Sequence, residues 1–333
     1  MSSIMTNAAA LTALQSLNAT NKNLETTQAR ISTGYKVSQA SDNAAYWSIA
    51  TTMRSDNQAM STVSDALGLG ASKVDTAYTG MNSAITTINQ IKAKLLASYG
   101  QTDASKEKTQ VEITALQAQM KSYADGATFS GTNMLSVNSG ATATTASDVK
   151  ILSAFNRDAA GAASISTIDV KVENIKLYEA GTTATLNKGI LDSQRTGSTG
   201  VATLTAVAVT LGAAATATDT YSAASLKIFD TATGKAAGDD QIKQMMTVID
   251  SALADMTNAA TTLGAAKSSI DLQKTFTSDL MDSIDRGVGQ LVDADMNKES
   301  TRLQALQVQQ QLGVQALSIA NGSSQSILSL FRG

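Results

Sequence analysis

Apolar residues recur in alternating steps of three and four along two long stretches of the chain, about 58–98 and about 242–284. This spacing is typical of helices that pack along one stripe against a partner helix in a left-handed coiled coil. The predicted core positions are Val63, Leu67, Val74, Met81, Ile88 and Ile91 in the first stretch, and Ile249, Met256, Leu263, Ile270, Leu280 and Ile284 in the second.

The two predicted helices have nearly equal lengths, about 60 Å and about 64 Å at 1.5 Å per residue. Well over a hundred residues separate them. The simplest arrangement is therefore side by side and antiparallel, with the intervening chain as an excursion. A shorter helix is predicted at about 105–124, after a turn at Gly100. Gly70 and Gly287 fall on the apolar stripes, where we expect a close approach of another segment.

The middle of the chain, about 128–238, is rich in Ala, Thr, Ser and Gly and lacks helical periodicity. Partial two-residue alternation at 148–155 and 165–178 predicts a β-hairpin. Short strands are also predicted at 201–211 and 226–229. The expected fold is therefore mainly α, an antiparallel long-helix coiled-coil bundle formed by the N- and C-terminal halves, with a β-hairpin and a small inserted β-rich region.

The chain ends predict two further helices, about 3–33 and 297–331, with an unusual charge pattern. Neither the first 21 residues nor residues 303–331 contain a charged side chain. Gln304, Gln307, Gln311 and Gln315 instead form an uncharged polar stripe between apolar threads. The predicted apolar packing positions are Leu11, Leu14, Leu17, Leu24, Ile31, Leu303, Leu306, Leu312, Leu317, Ile327, Leu330 and Phe331.

Helices with several apolar threads and no charge are not typical of a solvated surface. One interpretation is that both ends are buried between copies of the same protein and become ordered only on assembly. The alternative is an ordinary four-helix bundle within one chain. The pattern alone does not choose between them.

Composition narrows the function classes. The chain of 333 residues has no cysteine, histidine or proline, which excludes disulfides, Ser-His-Asp and Cys-His catalysis and classical zinc sites. A net charge of −3 leaves no surplus of basic side chains for binding nucleic acid. No apolar run approaches the ~18 residues of a membrane span, and no cleaved signal of the usual kind is visible. The absence of proline favours long helices.

The remaining motifs do not support an enzyme or a cofactor. Residues 293–299 resemble the start of a calcium loop, but Lys298 and Gln304 stand where glycine and glutamate are needed. An acidic start to the last helix is the simpler interpretation. We expect no metal and no cofactor.

The two ends together resemble bacterial flagellin, the subunit of the flagellar filament. The resemblance covers about 1–135 and 240–333, and it rests on motifs in the expected order around a variable centre. These motifs are Ile4–Leu11 (IMTNAAAL), Arg30–Lys36 (RISTGYK), Ser41–Ala45 (SDNAA), Leu263–Ala265 (LGA), Val292–Met296 (VDADM) with Glu299, and Ser326–Arg332 (SILSLFR).

The resemblance implies a subunit of a hollow helical filament for swimming motility. It implies an inner coiled-coil domain from 1–40 and 295–333, a helical spoke from 41–179 and 239–294 with the hairpin at about 148–178, and a small outer domain at 180–238. It also implies export through the type III apparatus to an extracellular flagellum. The implied partners are the chain itself, sister flagellins, an export chaperone, and cap and hook-junction proteins, with no nucleic acid and no membrane insertion.

The same resemblance implies a role for the glutamines, and it identifies positions where this chain differs from the family's usual residues. We expect Gln304, Gln307, Gln311 and Gln315 to line the channel of the tube. Asn43, Tyr46 and Trp47 differ from the family's usual residues in a segment sensed by plant receptors. Gln90 and Ala93 differ in the segment read by the vertebrate receptor, so weak signalling through both is expected. The alternatives are a hook–filament junction protein of flagellin-like fold and, from another class, a soluble helical enzyme or scaffold.

Overall fold

The structure is a computed structural model that describes residues 7–139, 146–158, 162–181, 188–203, 206–207 and 209–330, with side chains as far as Gly322. Long helices dominate this part of the chain, and the predicted mainly α fold with an inserted β-rich region is confirmed. The helices are α1 (Ala8–Thr33), α2 (Ala44–Ser98), α3 (Asp103–Gly126), α4 (Asp239–Val292) and α5 (Met296–Leu330).

The chain folds as two compact units, residues 1–59 with 280–333, and residues 60–279. The limits implied by the resemblance are 40/41 and 294/295. The observed limits lie later in the chain at α2 and earlier in the chain at α4. The implied domain limits remain a prediction.

The start of α2 is the main difference between the predicted and observed helices. The sequence pattern places it near residue 58, whereas it begins at Ala44. Asn43 caps this end, because its Oδ1 accepts a hydrogen bond from the Tyr46 backbone N–H at 3.1 Å. The prediction was wrong here because Asn57 interrupts the apolar stripe, while Ala50 and Met53 continue it.

The larger unit, 60–279, is built on the antiparallel pairing of α2 with α4. Lys267 of α4 is hydrogen-bonded to Asp75 of α2, and Lys92 of α2 forms an ion pair with Asp250 of α4. The contact that lies later on α2 therefore lies earlier on α4 by the same number of residues, as antiparallel pairing requires. The predicted core positions from Val63 to Ile91 and from Ile249 to Ile270 are all at most 3% exposed. Helix α3 adds Ile113, Met120 and Ala124 to this core.

The β structure consists of short strands apart from one hairpin. Strands β4 (Val149–Arg157) and β5 (Ala163–Val170) pair antiparallel, so the predicted hairpin is confirmed but ends at Val170 rather than near residue 178. The other strands are β1 (Thr128–Phe129), β2 (Thr132–Asn133), β3 (Ser136–Val137), β6 (Tyr178–Glu179), β7 (Gln194–Thr196), β8 (Ala202–Thr203), β9 (Thr220–Tyr221), β10 (Phe229–Asp230) and β11 (Lys235–Ala236).

Two short-strand predictions need correction. The strand predicted at 201–211 is reduced to Ala202–Thr203, because its partner β7 has only three residues; residues 204, 205 and 208 lie outside the described part. The strand predicted at 226–229 begins only at Phe229, where it pairs with β11.

Gly70 lets the hairpin lie directly on α2. A Cβ at this position would overlap the Ile151 side chain of β4. The predicted close approach is thus made by the hairpin and not by α4. At Gly287 the spacing is looser, with Met53 Cε 3.8 Å from the position of a Cβ.

Two helical glycines are expected to respond oppositely to alanine. Alanine normally stabilises a helix by about 1 kcal/mol relative to glycine. A Cβ at Gly80 would lie 2.8 Å from Ala127 Cβ and 2.9 Å from Leu135 Cδ1, and overpacking costs about 1–3 kcal/mol. At Gly264 the nearest atom, Tyr78 Cε2, is 4.0 Å away. We therefore expect G80A to lower the free energy of unfolding and G264A to raise it in urea denaturation. A G80A chain as stable as the parent would contradict this packing.

Arg195 of β7 connects the segment after the hairpin to α4 through hydrogen bonds. Its Nη2 donates to Asp255 Oδ2 at 2.7 Å and its Nη1 donates to Ser251 Oγ at 3.0 Å. Gly200 lies beside Ser251 with a φ of 70°, a conformation that favours glycine. The small β region is therefore packed on the first half of α4.

A buried charge cluster joins β3 to β6. Lys176 Nζ lies 3.0 Å from Glu179 Oε2 and 2.9 Å from Glu173 Oε2, and the side chains of Lys176 and Glu179 are almost fully buried. Ser139 donates to Glu179 through both its backbone N–H and its Oγ. Burial tends to raise the pKa of Glu179, but the hydrogen bonds from Ser139, Lys176 and Gly181 outweigh it and lower the pKa to about 2.

This cluster predicts a specific pH dependence. A carboxyl whose pKa falls from 4.5 when unfolded to about 2 when folded stabilises the fold above pH 4.5, and that stabilisation is lost as the pH falls toward 2. We expect E179Q to cost about 3 kcal/mol at pH 7, the low end for breaking a buried ion pair, because Glu173 still pairs with Lys176. The difference between parent and variant should shrink between pH 4.5 and pH 2.

The control is E112Q, which removes the exposed pair of Glu112 with Lys94. Exposed pairs contribute about 0–1 kcal/mol, so this variant should unfold almost as the parent does at every pH. Urea denaturation at several pH values measures both. A pH-independent gap between the parent and E179Q would contradict the assignment.

Candidate functional site

The terminal helices α1 and α5 pair antiparallel within the smaller unit. Asn7 Nδ2 donates to the Ala320 carbonyl at 2.9 Å, and Gln310 Nε2 donates to Asn21 Oδ1 at 2.9 Å. Leu17 packs against Gly313, whose missing side chain leaves room for it. These contacts fix one register along the pair.

The seam between the two helices is only partly apolar. Leu306 is buried, while Leu17, Leu24, Ile31, Leu303 and Leu317 are half-buried. The other seam positions are small or polar; they are Ala10, Ala13, Thr20, Thr27, Glu299, Gln310, Gly313 and Ala320. Such a seam buries less apolar surface than Leu- or Ile-rich heptads would, so the pair by itself is weakly stabilised.

A second apolar thread on each helix faces solvent in the single chain. Leu11 and Leu14 of α1 are 59% and 44% exposed, and Val308 and Leu312 of α5 are 55% and 58% exposed. One intramolecular partner therefore leaves these side chains uncovered. Both threads lie on spans of the sequence that carry no charge.

The glutamine stripe also lies on the surface of the single chain. Gln304, Gln307, Gln311 and Gln315 are all exposed, beside the uncovered apolar thread of α5. Ile327 and Leu330 lie on the α5 backbone, but their side chains, like all of Phe331, lie outside the described part. Their proposed packing role stays a prediction.

The connections between the terminal helices and the long helices lie side by side. Gly34 ends α1 with a φ of 75°, and its carbonyl accepts from the Ala294 N–H at 2.8 Å. The Lys36 N–H donates to the Val292 carbonyl at 2.7 Å. Arg30 forms a 3.3 Å ion pair with Glu299, which is 7% exposed. Heptad spacing alone did not identify this pair of opposite charges.

The acidic segment before α5 caps the helix. Asp295 Oδ1 accepts from the backbone N–H groups of Asn297 and Lys298 at 3.0 Å and 3.2 Å. This geometry agrees with an acidic helix start rather than a calcium loop. Across the described ranges, no group of three or more acidic side chains is placed to hold a metal ion.

A small core sits beside these connections. Val37, Ala50, Val288 and Val292 are buried together, and Met53 and Ile284 pack against them. Ile284 and Leu280 are half-buried, so these two predicted coiled-coil positions are less enclosed than those from Ile249 to Ile270.

The residues that the resemblance marks as unusual in receptor-sensed segments lie on the surface. Gln90 and Ala93 are exposed on α2, and Asn43, Tyr46 and Trp47 are exposed at its start. The expected weak receptor signalling stays a prediction. Among the described helices, none combines the length and apolar character that crossing a bilayer requires.

Comparison with known proteins identifies the same ends of the chain. The family model of the bacterial flagellin N-terminal helical region matches residues 4–140, and that of the bacterial flagellin C-terminal helical region matches residues 246–331.

Curated relatives match over the whole of both chains. Flagellin C of Rhizobium meliloti (strain 1021) is 48% identical and a flagellin of Brucella melitensis biotype 1 is 46% identical, each with 100% of both chains covered. Flagellin A of Rhizobium meliloti is 41% identical with the same coverage. The chain therefore belongs to the bacterial flagellins, the structural subunits of the flagellar filament.

Proposed function

We propose that the chain builds its filament by burying the uncovered threads of α1 and α5 against neighbouring copies. The observation that carries this proposal is the exposure of Leu11, Leu14, Val308 and Leu312 on helices without charge over these spans. Contact with other copies removes these side chains from water, at roughly 25 cal/mol for each Å² of apolar area buried. The role is mechanical and needs no catalysis.

Assembly and ordering of the ends are proposed to be coupled. The α1–α5 seam is mixed in polarity, so in a dilute single chain it offsets little of the conformational entropy that two ordered helices cost. Neighbouring copies add the missing burial. The pairing described above is then the conformation that assembly stabilises.

The glutamine stripe is proposed to line the channel of the tube. Gln304, Gln307, Gln311 and Gln315 offer hydrogen bonds without charge, so a passing chain of either charge would not be trapped. A cryo-electron microscopy map of the filament tests this. The proposal expects these side chains at the lumen, and finding them on the outer side of the inner tube would contradict it.

Export and partners belong to the same proposal. Passage through the type III apparatus would deliver the subunit to an extracellular filament without a cleaved signal. An export chaperone, cap proteins and hook-junction proteins are the proposed transient partners, and sister flagellins are proposed to co-assemble. Nothing in the comparisons favours the alternative of a hook–filament junction protein.

The outer region, 180–238, is proposed to touch its counterpart on neighbouring subunits and to stiffen the filament. Its support is the nearly charge-free stretch at 201–217, which includes Val201 at 64% exposure. Filaments lacking 180–238 should bend more easily. Unchanged rigidity would favour a simple surface loop.

Electron microscopy of the purified chain after salting-out tests the proposed function directly. Long tubes are expected. Short rings would favour the junction alternative, and the absence of any ordered polymer would contradict both.

A further inference from the structure

Helix α5 contains the one Asn–Gly dipeptide of the chain, Asn321–Gly322. Both residues are exposed in the single chain. Asparagine is a thermolabile residue, and it reacts most readily before glycine, because glycine has no side chain to hinder attack by its backbone nitrogen. This dipeptide is therefore the place in the sequence where spontaneous deamidation is chemically easiest.

The reaction closes a ring between the two residues. The Gly322 backbone nitrogen attacks Asn321 Cγ and forms a bond to it, while the bond from Cγ to Nδ2 breaks. The side-chain nitrogen leaves as ammonia with the proton of the Gly322 N–H. Water then opens the succinimide ring at either carbonyl and gives aspartate or isoaspartate. The net change consumes water, releases ammonia, needs no oxidant or reductant, and leaves a carboxylate at position 321.

The helical backbone opposes this reaction at both reacting atoms. Residues 321 and 322 are helical, and the N–H of a helical residue donates to the carbonyl four residues earlier. A helical ψ of about −42° also keeps the next backbone nitrogen out of line with the side-chain carbon, whereas attack needs an aligned approach at about 3–3.5 Å. The dipeptide therefore reacts when this part of α5 opens.

The sequence and the contacts around the dipeptide favour local opening. Gly322 is a poor helix former, and Ser323 and Ser324 follow it in the sequence with little higher helix propensity. Next to the dipeptide, the Ala320 carbonyl accepts the hydrogen bond from Asn7, which is the N-cap of α1. This contact depends on a helix end, where fraying begins. In a dilute single chain we expect the dipeptide to open readily.

We propose that Asn321–Gly322 deamidates in unassembled chains, is protected in the filament, and yields a product that assembles poorly. Residues 303–331 carry no charge, and a carboxylate surrounded by neighbouring copies would be costly. Isoaspartate also adds a carbon to the backbone and so disturbs the helical spacing. The inference rests on the filament role proposed above, and it gives free subunits a limited chemical lifetime.

Incubation of dilute monomer and of filaments, at one pH and temperature, tests the reaction on the unmodified chain. Peptide mass spectrometry and labelling with an isoaspartate methyltransferase measure the conversion of Asn321. Conversion in the monomer should be at least about 10-fold faster than in filaments. An unreactive monomer, or equal rates in both, would overturn the inference and leave the filament role intact. Failure to form filaments at all would contradict the proposed function itself.

The control for helix opening is S83G, which places glycine directly after Asn82 in the middle of α2. Met81 and Ala84 beside it are fully buried in the larger unit's core, so α2 should stay closed there in the monomer. Asn82 of this variant should remain intact while Asn321 of the same chain converts. Equal conversion of both asparagines would show that helix opening does not control the reaction.

Replacing the glycine tests whether this dipeptide is the reactive one. A Cβ at Gly322 would meet no atom within 4 Å, so alanine fits. G322A should slow the conversion of Asn321 in the monomer about 5-fold or more, because alanine favours the helix by about 1 kcal/mol and its methyl group hinders the attacking nitrogen. An unchanged rate would contradict the assignment.

N321D carries the aspartate product from the start and measures its effect on assembly. We expect it to need at least about 10-fold more protein to form filaments, the equivalent of about 1.4 kcal/mol. N297D is the matched control, because it makes the same change in the first turn of α5, where negative charge is favoured. It should assemble as the parent does. Assembly of N321D at the parent's concentration would overturn the proposed exclusion of the product.

Discussion

Replacing Leu312 with lysine is expected to abolish filament formation at concentrations where the parent chain assembles. Leu312 is 58% exposed in the single chain, so the change should leave the thermal unfolding of residues 60–279 unaltered. In the filament it would place a charge among apolar side chains of neighbouring copies. A loss of about 3 kcal/mol per contact raises the critical concentration more than ~100-fold. Sedimentation and electron microscopy measure this.

Two controls isolate the cause. L312Q removes the apolar contact without adding charge and should assemble less readily than the parent but better than L312K. T301K adds a lysine on the same side of α5, where Lys298 and Arg302 already stand, and should assemble nearly normally. Normal filaments from L312K would show that the thread is not buried between copies.

Replacing polar residues of the α1–α5 seam with leucine should order the terminal helices without assembly. Thr20 and Gln310 are half-buried and lie near the same level of the α1–α5 pair, and Gln310 donates the hydrogen bond to Asn21. Replacing both with leucine would gain about 3–6 kcal/mol at about 1.5–3 kcal/mol per buried side chain, less about 1 kcal/mol for the hydrogen bond that Q310L removes. Amide exchange in α1 and α5 of the dilute monomer should then slow by about 10²–10⁴-fold.

The control for the seam variant is T12L, at an exposed position of α1. It removes a hydroxyl of the same kind without filling the seam, so it should leave exchange in the monomer almost unchanged. If the T20L/Q310L chain and the parent exchange equally slowly, the seam was already stable in the parent and assembly is not needed to order it.

The sequence predicted those features of the fold that depend on long, regular patterns. Steps of three and four identified the α2–α4 seam, because a coiled-coil core repeats with the period of the helix. Gly100 marked a helix end correctly, because it takes a positive φ, which glycine adopts without strain. The charge-free ends are the basis of the proposed assembly surface, because charge is the least tolerated feature of a buried face; that surface stays a prediction.

The features that escaped prediction depend on contacts between distant or very short segments. The parallel pairing of β3 with β6 joins two-residue strands, which carry no detectable alternation. The cluster of Lys176 with Glu179 looks in sequence like an ordinary surface pair. The Asn43 cap was visible and would have placed the start of α2 correctly, but the polar Asn57 masked the continuity of the stripe.

Hydrogen–deuterium exchange on the monomer and on the filament tests the central claim most directly. The account predicts that amides of α1 and α5 exchange rapidly in dilute monomer and become protected in filaments, while the α2–α4 core from Val63 to Ile91 is protected in both. Terminal amides equally protected in dilute monomer, at every concentration, would contradict it.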